Sequence, residues 1–368
     1  MKALVADARA RDSAELVILK DGKLVGDWRF SKSHAPIQSM SITKSVLALA
    51  VGCLVDAGKL HVDEPVYDFF PRWKKPPYEA VTLYDLLTHS SGLEWARSTL
   101  PIYRSRSFVD MTLHSKIVHK PGTWYHYSNR GANLVSGIVG KASGVRTDRY
   151  VDKVIFKPLG ITHWWWQKDR AGQPHGMAGL HLEPPDLAKI GELVRLEGEY
   201  DGKRVVSAKW IRRATAEPAK VQPTSRRLGL LWWMVPAWTR ITVTNDILDG
   251  WQKAGVDAAF IDRARPLVDK MFTSTHAFLD ALRKAYDDPE LERFRSNIWK
   301  QELPDAHFDL GPTVGSYSEG TLGQFVVVLP RDGLVAVRMR RAPKHAADRS
   351  NPRLVFVDFV ERAQGLVH

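Results

Sequence analysis

The 368-residue sequence predicts an α+β fold: a mostly antiparallel sheet flanked by helices and built from both ends of the chain, with a mainly helical lobe contributed by the middle. Three observations predict it. Residues 15–31, ELVILKDGKLVGDWRFS, place two apolar-rich runs around Asp21-Gly22, the pattern of a β-hairpin. Residues 323–340 repeat that pattern, with a turn at Pro330-Arg331-Asp332-Gly333. Between them, residues 44–57, KSVLALAVGCLVDA, are apolar almost all round, which marks a helix enclosed by core rather than lying on a surface.

The elements follow in order. The first fifteen residues alternate small apolar and charged side chains without a continuous apolar stretch, so no signal peptide is read and a cytoplasmic protein is expected. Gly58 sits where the long apolar helix needs a C-terminal cap. A second apolar helical run follows Asn129. The stretch from Pro236 to Leu303 is charged and mostly helical in pattern, as in STHAFLDALRKAYDDPELERFRSNI, and carries no motif. The last segment, from Leu354 to Ala363, has helical spacing. The expected organisation is a sheet domain from 1–60 and 305–368, and a mainly helical domain from 61–304 that includes an insertion at 236–303.

Composition narrows the function. The 53 Lys and Arg exceed the 41 Asp and Glu, leaving a net charge of +12. The basic residues are dispersed and no stripe of them interleaves with aromatics, so a solvated surface is expected and nucleic acid is not. No apolar run reaches the ~18 residues that span a bilayer, so no membrane partner is expected. The single cysteine, Cys53, lies in an apolar run, excludes an internal disulfide and reads as a small buried hydrophobe. Thirteen scattered histidines form no metal-binding pair, so neither metal nor cofactor is expected. No G-x-S-x-G elbow, Walker loop or dinucleotide fingerprint is present.

Two motifs, each occurring once, carry chemistry. Ser41-Ile42-Thr43-Lys44 is an S-x-x-K at the start of the apolar helix, with Ser41 and Lys44 on one face a turn apart. A serine hydroxyl needs a base, and a lysine can serve once burial lowers its pKa toward neutrality. The bland alternative has Ser41 capping the helix and Lys44 reaching solvent. Tyr127-Ser128-Asn129 is the Y-x-N, after a Pro121-Gly122 turn. A phenol beside an ammonium can relay protons, and an amide two residues on can hold a carbonyl or the lysine. His89, in THSSG, reads as structural, and Trp164-Trp165-Trp166 as packing.

The segments SMSITKSVLALAVGCLVDAGKLHVDEPVYDFFP, VTLYDLLTHSSGL and PGTWYHYSNRGANLVSGIV, in that order, resemble class C β-lactamases, low-molecular-weight penicillin-binding proteins and related esterases. The resemblance extends over most of 15–235 and about 312–340. It implies a Ser-Lys-Tyr acyl-transfer site: Ser41 as nucleophile, Lys44 and Tyr127 as the proton-transfer pair, Asn129 as a positioning residue. The family's third motif, Lys-Thr-Gly or His-x-Gly, is absent. Its nearest match is Ser318-Glu319-Gly320-Thr321, with Ser318 in place of the cation and the N–H groups of Ser41 and Thr321 implied as the oxyanion hole. Without that cation a substrate carboxylate is less favoured. The expectation is therefore an ester or linear-amide hydrolase, close to the family's esterases and 6-aminohexanoate-dimer hydrolases, acting on a small ester, amide or peptide-like substrate, with a homodimer as an option. The rivals are a β-lactamase or D,D-peptidase, and an acylated binding or sensor protein that does not turn over.

Overall fold

The computed structural model describes residues 1–94, 98–223, 225–287, 290–291, 293, 298, 303–343 and 358–367. The chain forms two units: one comprises 1–223, 227–235 and 315–368, the other 224–226 and 236–314.

In the first unit the sheet is seven-stranded and joins both ends of the chain. Its strands are β1 (Glu15–Lys20), β2 (Lys23–Arg29), β3 (Arg227–Leu228), β4 (Trp233–Pro236), β5 (Thr313–Gly320), β6 (Gln324–Leu329) and β7 (Leu334–Met339), in the order β2-β1-β7-β6-β5-β4-β3. The register pairs Glu15 with Met339 and Lys20 with Leu334, so the first strand is closed by the last. Asp21 and Gly22 both take positive φ at the β1–β2 turn, which matches the twist of the flanking strands. Every residue of β6 and β7 is buried, as expected of central strands covered on both faces.

Helix α1 (Lys2–Ala10) was not foreseen: only Leu4 and Ala8, one turn apart, are buried, and two small apolar contacts leave little periodic signal. Helix α2 (Ile42–Asp56) is buried from Ile42 to Leu54. It ends in a Schellman cap. Gly58 takes φ +67, its N–H donates to Val55, and the Lys59 N–H donates to Leu54. Gly52 gives way to the Trp210 ring, whose Nε1 donates to the Ala48 carbonyl at 2.9 Å. Helix α3 (Asn129–Ser143) carries the second motif. Helix α4 (Pro184–Arg195) lies on the sheet at Gly191, where an added Cβ would sit 2.6 Å from Val335 and 3.0 Å from Val326. Helix α5 (Phe359–Gln364) packs Phe359 against Phe325 of β6. Residues 354–357 of the expected terminal helix lie outside the described residues.

The second unit has its own core, including Ile241, Trp251, Phe260, Phe278 and Leu282, and shares no residue with the core of the first. Three helices, Asn245–Lys253, Ala258–Ala264 and Thr275–Ala285, accompany a three-stranded sheet of Thr239–Thr242 between Met271–Phe272 and His307–Leu310. The helical pattern read from 236–303 thus omits two short strands. Each is two to four residues long and partly exposed, too short to register as alternation.

Candidate active site

Ser41 occupies the N-terminal boundary of α2 with helical φ/ψ of −69° and −10°, and its side chain makes no capping bond. The hydroxyl is instead reached by Lys44 one turn along, whose Nζ lies 3.0 Å from Ser41 Oγ. Lys44 is 3% exposed and does not reach solvent. Its other bond is Nζ donating to the Met177 carbonyl at 2.6 Å. Burial disfavours the ammonium and brings Lys44 down to about 7.

The segment before α3 places Tyr127 over the same lysine. The His126 N–H donates to the His89 carbonyl at 2.8 Å, and the Ser128 N–H donates to His89 Nδ1 at 3.2 Å. Ser128 Oγ then caps α3 by accepting from Gly131 N–H at 2.9 Å. The Tyr127 ring is thereby held 4.8 Å from Lys44 Nζ and 4.5 Å from the His89 ring. His89 is buried. Burial first, then Lys44, then His126, push it down to about 3, so it is neutral and serves as the acceptor that fixes this segment. Asn129 opens α3 and is half-buried.

The third segment arrives on β5. An added Cβ on Gly320 would lie 2.6 Å from the Ser39 carbonyl, 2.7 Å from Met40 Cβ and 3.0 Å from the Ser41 nitrogen. Glycine is what lets this strand end touch the turn that carries Ser41. Ser318, two residues back on the same face, meets Ser45 of α2 with the two Oγ atoms 2.6 Å apart. Ser45 is the donor, and its one proton is shared between Ser318 Oγ and the Leu231 carbonyl, which also lies 2.6 Å from Ser45 Oγ. Glu319 is half-buried on the opposite face of the strand, and Thr321 is exposed at the turn. That turn is fixed from behind. Arg338, fully buried on β7, donates to the Leu322 carbonyl at 3.2 Å, the Gly323 carbonyl at 2.6 Å, Ser13 Oγ at 2.8 Å and the Arg11 carbonyl at 2.8 Å.

The structure thus brings Ser41, Lys44, Tyr127 and Gly320 together and turns the Ser318 hydroxyl to the core. Sequence reasoning did not single out Met177, whose contribution is a backbone carbonyl, nor Asn133, whose Oδ1 accepts from backbone N–H groups more than forty residues on, nor Arg338, whose partners include three carbonyls and the Ser13 hydroxyl. Cys53 is buried and its thiol is pushed up to about 12 by burial, which leaves it unreactive. Trp166 is buried and donates to the His175 carbonyl, whereas Trp165 is exposed and stacks on His181. Among the described residues no group of three or more His, Cys, Asp or Glu could hold a metal ion, and no helix is long and apolar enough to cross a membrane.

The Beta-lactamase family model matches residues 1–357. The chain is 28% identical over 197 residues to PbpX of Bacillus subtilis, named as a penicillin-binding protein, a match covering 48% of this chain and 49% of that one. The chain thus spans about half the length of this curated relative, and 42% of a second, from Escherichia coli, named as a D-alanyl-D-alanine carboxypeptidase, at 26% identity over 41% of this chain. Among solved structures, one from Bacteroides dorei described as a beta-lactamase superposes with a TM-score of 0.67 at 14% identity, covering 100% of this chain and 97% of that one. Another, from Bacillus anthracis and described as a 6-aminohexanoate-dimer hydrolase, gives 0.65 at 14% identity, covering 100% and 80%. At that identity these two establish the fold alone.

Proposed function

Because the chain belongs to the Beta-lactamase family, we propose that it is a serine hydrolase with Ser41 as nucleophile, acting on an ester or linear amide that bears no carboxylate beside the reacting carbonyl. The observation that carries this reading is Lys44, buried, held at about 7 and 3.0 Å from Ser41 Oγ. A lysine with that value is half neutral near pH 7 and can accept the hydroxyl proton.

In the proposed reaction, Oγ forms a bond to the carbonyl carbon as its proton passes to Lys44 Nζ. The carbonyl π electrons move onto oxygen, where the Ser41 N–H and the Thr321 N–H hold the oxyanion. Collapse breaks the bond to the leaving alkoxide or amine, which takes the proton through Lys44 and Tyr127. Water then attacks the acyl-enzyme, gives up its proton to the same pair, and Ser41 departs with a proton restored. Asn129 is assigned the part of a positioning group.

The preference against a substrate carboxylate rests on Ser318. It stands where the family's lysine or histidine is expected, its hydroxyl is committed to Ser45, and Glu319 is its neighbour. The name of the Bacillus anthracis structure, a 6-aminohexanoate-dimer hydrolase, is compatible with a linear amide. A second reading, D,D-peptidase or β-lactamase, is favoured by the names of PbpX and of the Escherichia coli relative.

Short-chain p-nitrophenyl esters, linear amides and a chromogenic cephalosporin, each assayed with the wild type and Ser41→Ala, test the proposal. The expected result is steady turnover of neutral esters or amides, with a covalent adduct on the wild type that Ser41→Ala lacks. Full hydrolysis by Ser41→Ala would sink the assignment. Cephalosporin turnover alone would favour the second reading, and a single stoichiometric burst would indicate a sensor that is acylated without release.

A further inference from the structure

We infer that Asn133 is a positioning residue for the base: it holds the 176–177 peptide so that the Met177 carbonyl fixes Lys44 Nζ with its lone pair toward Ser41. The inference deepens the proposed function and rests on its assignment of Lys44 as the base.

Asn133 lies on α3 one turn beyond Asn129 and is 1% exposed. Its Oδ1 accepts two backbone donors at once, the Gly176 N–H at 2.9 Å and the Met177 N–H at 3.1 Å. The carbonyl of that same Met177 is the one that Lys44 Nζ reaches at 2.6 Å. One residue therefore stands between the amide of Asn133 and the amine of Lys44.

The segment has little room to settle elsewhere. An added Cβ on Gly176 would lie 1.9 Å from the Ala132 carbonyl, so the backbone is pressed onto α3. Ser136, one turn along from Asn133, donates to the Pro174 carbonyl at 2.8 Å. On the far side, the Ser39 N–H and Oγ donate to the Leu180 carbonyl at 2.8 and 2.9 Å, and the Leu180 N–H donates to Thr43 Oγ1 at 3.3 Å. Residues 174–180 are thus pinned to α3 by Asn133 and Ser136, and to the N-terminal turn of α2 by Ser39 and Thr43.

This geometry matters for a lysine that works as a neutral amine. Neutral Nζ has two N–H bonds and one lone pair, and it is useful only when the lone pair points at Ser41 Oγ–H. Anchoring one N–H on the Met177 carbonyl keeps the lone pair off that side and leaves Ser41 Oγ–H, 3.0 Å away, among its remaining directions. Groups facing Lys44 are Ser41 at the start of its own helix and, from other elements, the Tyr127 ring before α3 and neutral His89 with His126 beyond it. The Asn133 amide nitrogen, Nδ2, is buried with no hydrogen-bond partner among the described residues, so the side chain is retained there despite an uncompensated donor. Its Oδ1 is the working atom.

Asn133→Ala, Asn133→Asp and Lys44→Met in the full chain test the inference, with ester acylation rate, KM, the pH profile and Tm measured for each. Asn133→Ala is expected to lose about 10²-fold in acylation with KM little changed, the scale set by a misplaced reacting group. Asn133→Asp keeps an acceptor for both N–H groups and removes the orphaned donor, so it is expected to restore most of the rate. Its negative charge, one peptide from Lys44, moves the acidic limb of the profile upward. A merely structural residue would alter Tm and leave that limb in place. Asn133→Ala folded and within twofold of wild type overturns the inference. So does Asn133→Asp with an unmoved limb, which decides the matter if the alanine variant does not fold. Lys44→Met separates the two levels: if it stays active the reading of Lys44 as base fails, whereas if it is dead while Asn133→Ala is unaffected only the role of Asn133 fails.

Discussion

At the scale of single residues, the site depends on a lysine in a place that disfavours its charge. Folding takes Lys44 from its usual 10.5 to about 7 because it is buried. Between those two values the unfolded chain holds a proton that the folded chain lacks, so stability rises with pH across that window. Below about pH 7 the cost of burying the ammonium is fully present. Lys44→Met is accordingly expected to abolish acylation while raising Tm near pH 6, with the gain shrinking toward pH 10; thermal melts across that range would show it, and a gain independent of pH would refute it. In the wild type, kcat/KM should rise through about pH 7. That limb belongs to Lys44 and not to His89, which burial keeps neutral down to about 3. The Ser41–Lys44 pair was legible in the sequence because both residues sit in one helical turn. Its supports were not. Met177 acts through a backbone carbonyl, which no side-chain pattern reports, and a single Asn133 within an apolar run reads like any polar residue on a helix.

At the scale of elements, the outcome depended on how much burial each segment carries. Helix α2 was readable because thirteen consecutive residues from Ile42 to Leu54 are enclosed. The two terminal hairpins were readable because Asp21-Gly22 and Gly333 announce their turns. Helix α1 and the strands at 239–242 and 271–272 were not, since none of them buries more than two side chains and none leaves a period to follow. The third motif lies between these cases: its glycines were in register, but the inward turn of Ser318 depends on Ser45, 273 positions away. What β5 contributes most directly is contact. With an added Cβ only 2.6 Å from the Ser39 carbonyl, Gly320→Ala must push the strand away from Ser41. Overpacking of this kind costs about 1–3 kcal/mol, and here it also displaces the Thr321 N–H. The variant should fold with a lowered Tm and acylate at least ~10-fold more slowly, in line with losing part of an oxyanion hole. Wild-type acylation by a folded Gly320→Ala protein would show that the strand need not touch the serine turn.

At the scale of the whole molecule, residues 236–314 form an excursion from the sheet with a core of their own. Within that unit its two ends meet: the Ala237 N–H donates to the Pro312 carbonyl at 2.8 Å, and Thr239 pairs with Leu310. A chain in which 238–311 are replaced by a short Gly-rich turn should therefore unfold cooperatively and still form the Ser41 adduct, since no residue of the larger core is removed. Loss of the cooperative transition in calorimetry would count against that independence. The pairing of β1 with β7 has a further consequence, in time rather than in space. A chain made from its N-terminus carries Ser41 and Lys44 long before residue 320 exists, and longer still before residues 334–339 arrive to close the sheet. Until then Gly320 is not there to meet the Ser39–Ser41 turn, whereas the Met177 carbonyl and the Tyr127 ring beside Lys44 are already made. A nascent chain is thus expected to carry an uncovered serine turn, and the arrival of β5 is the step that covers it.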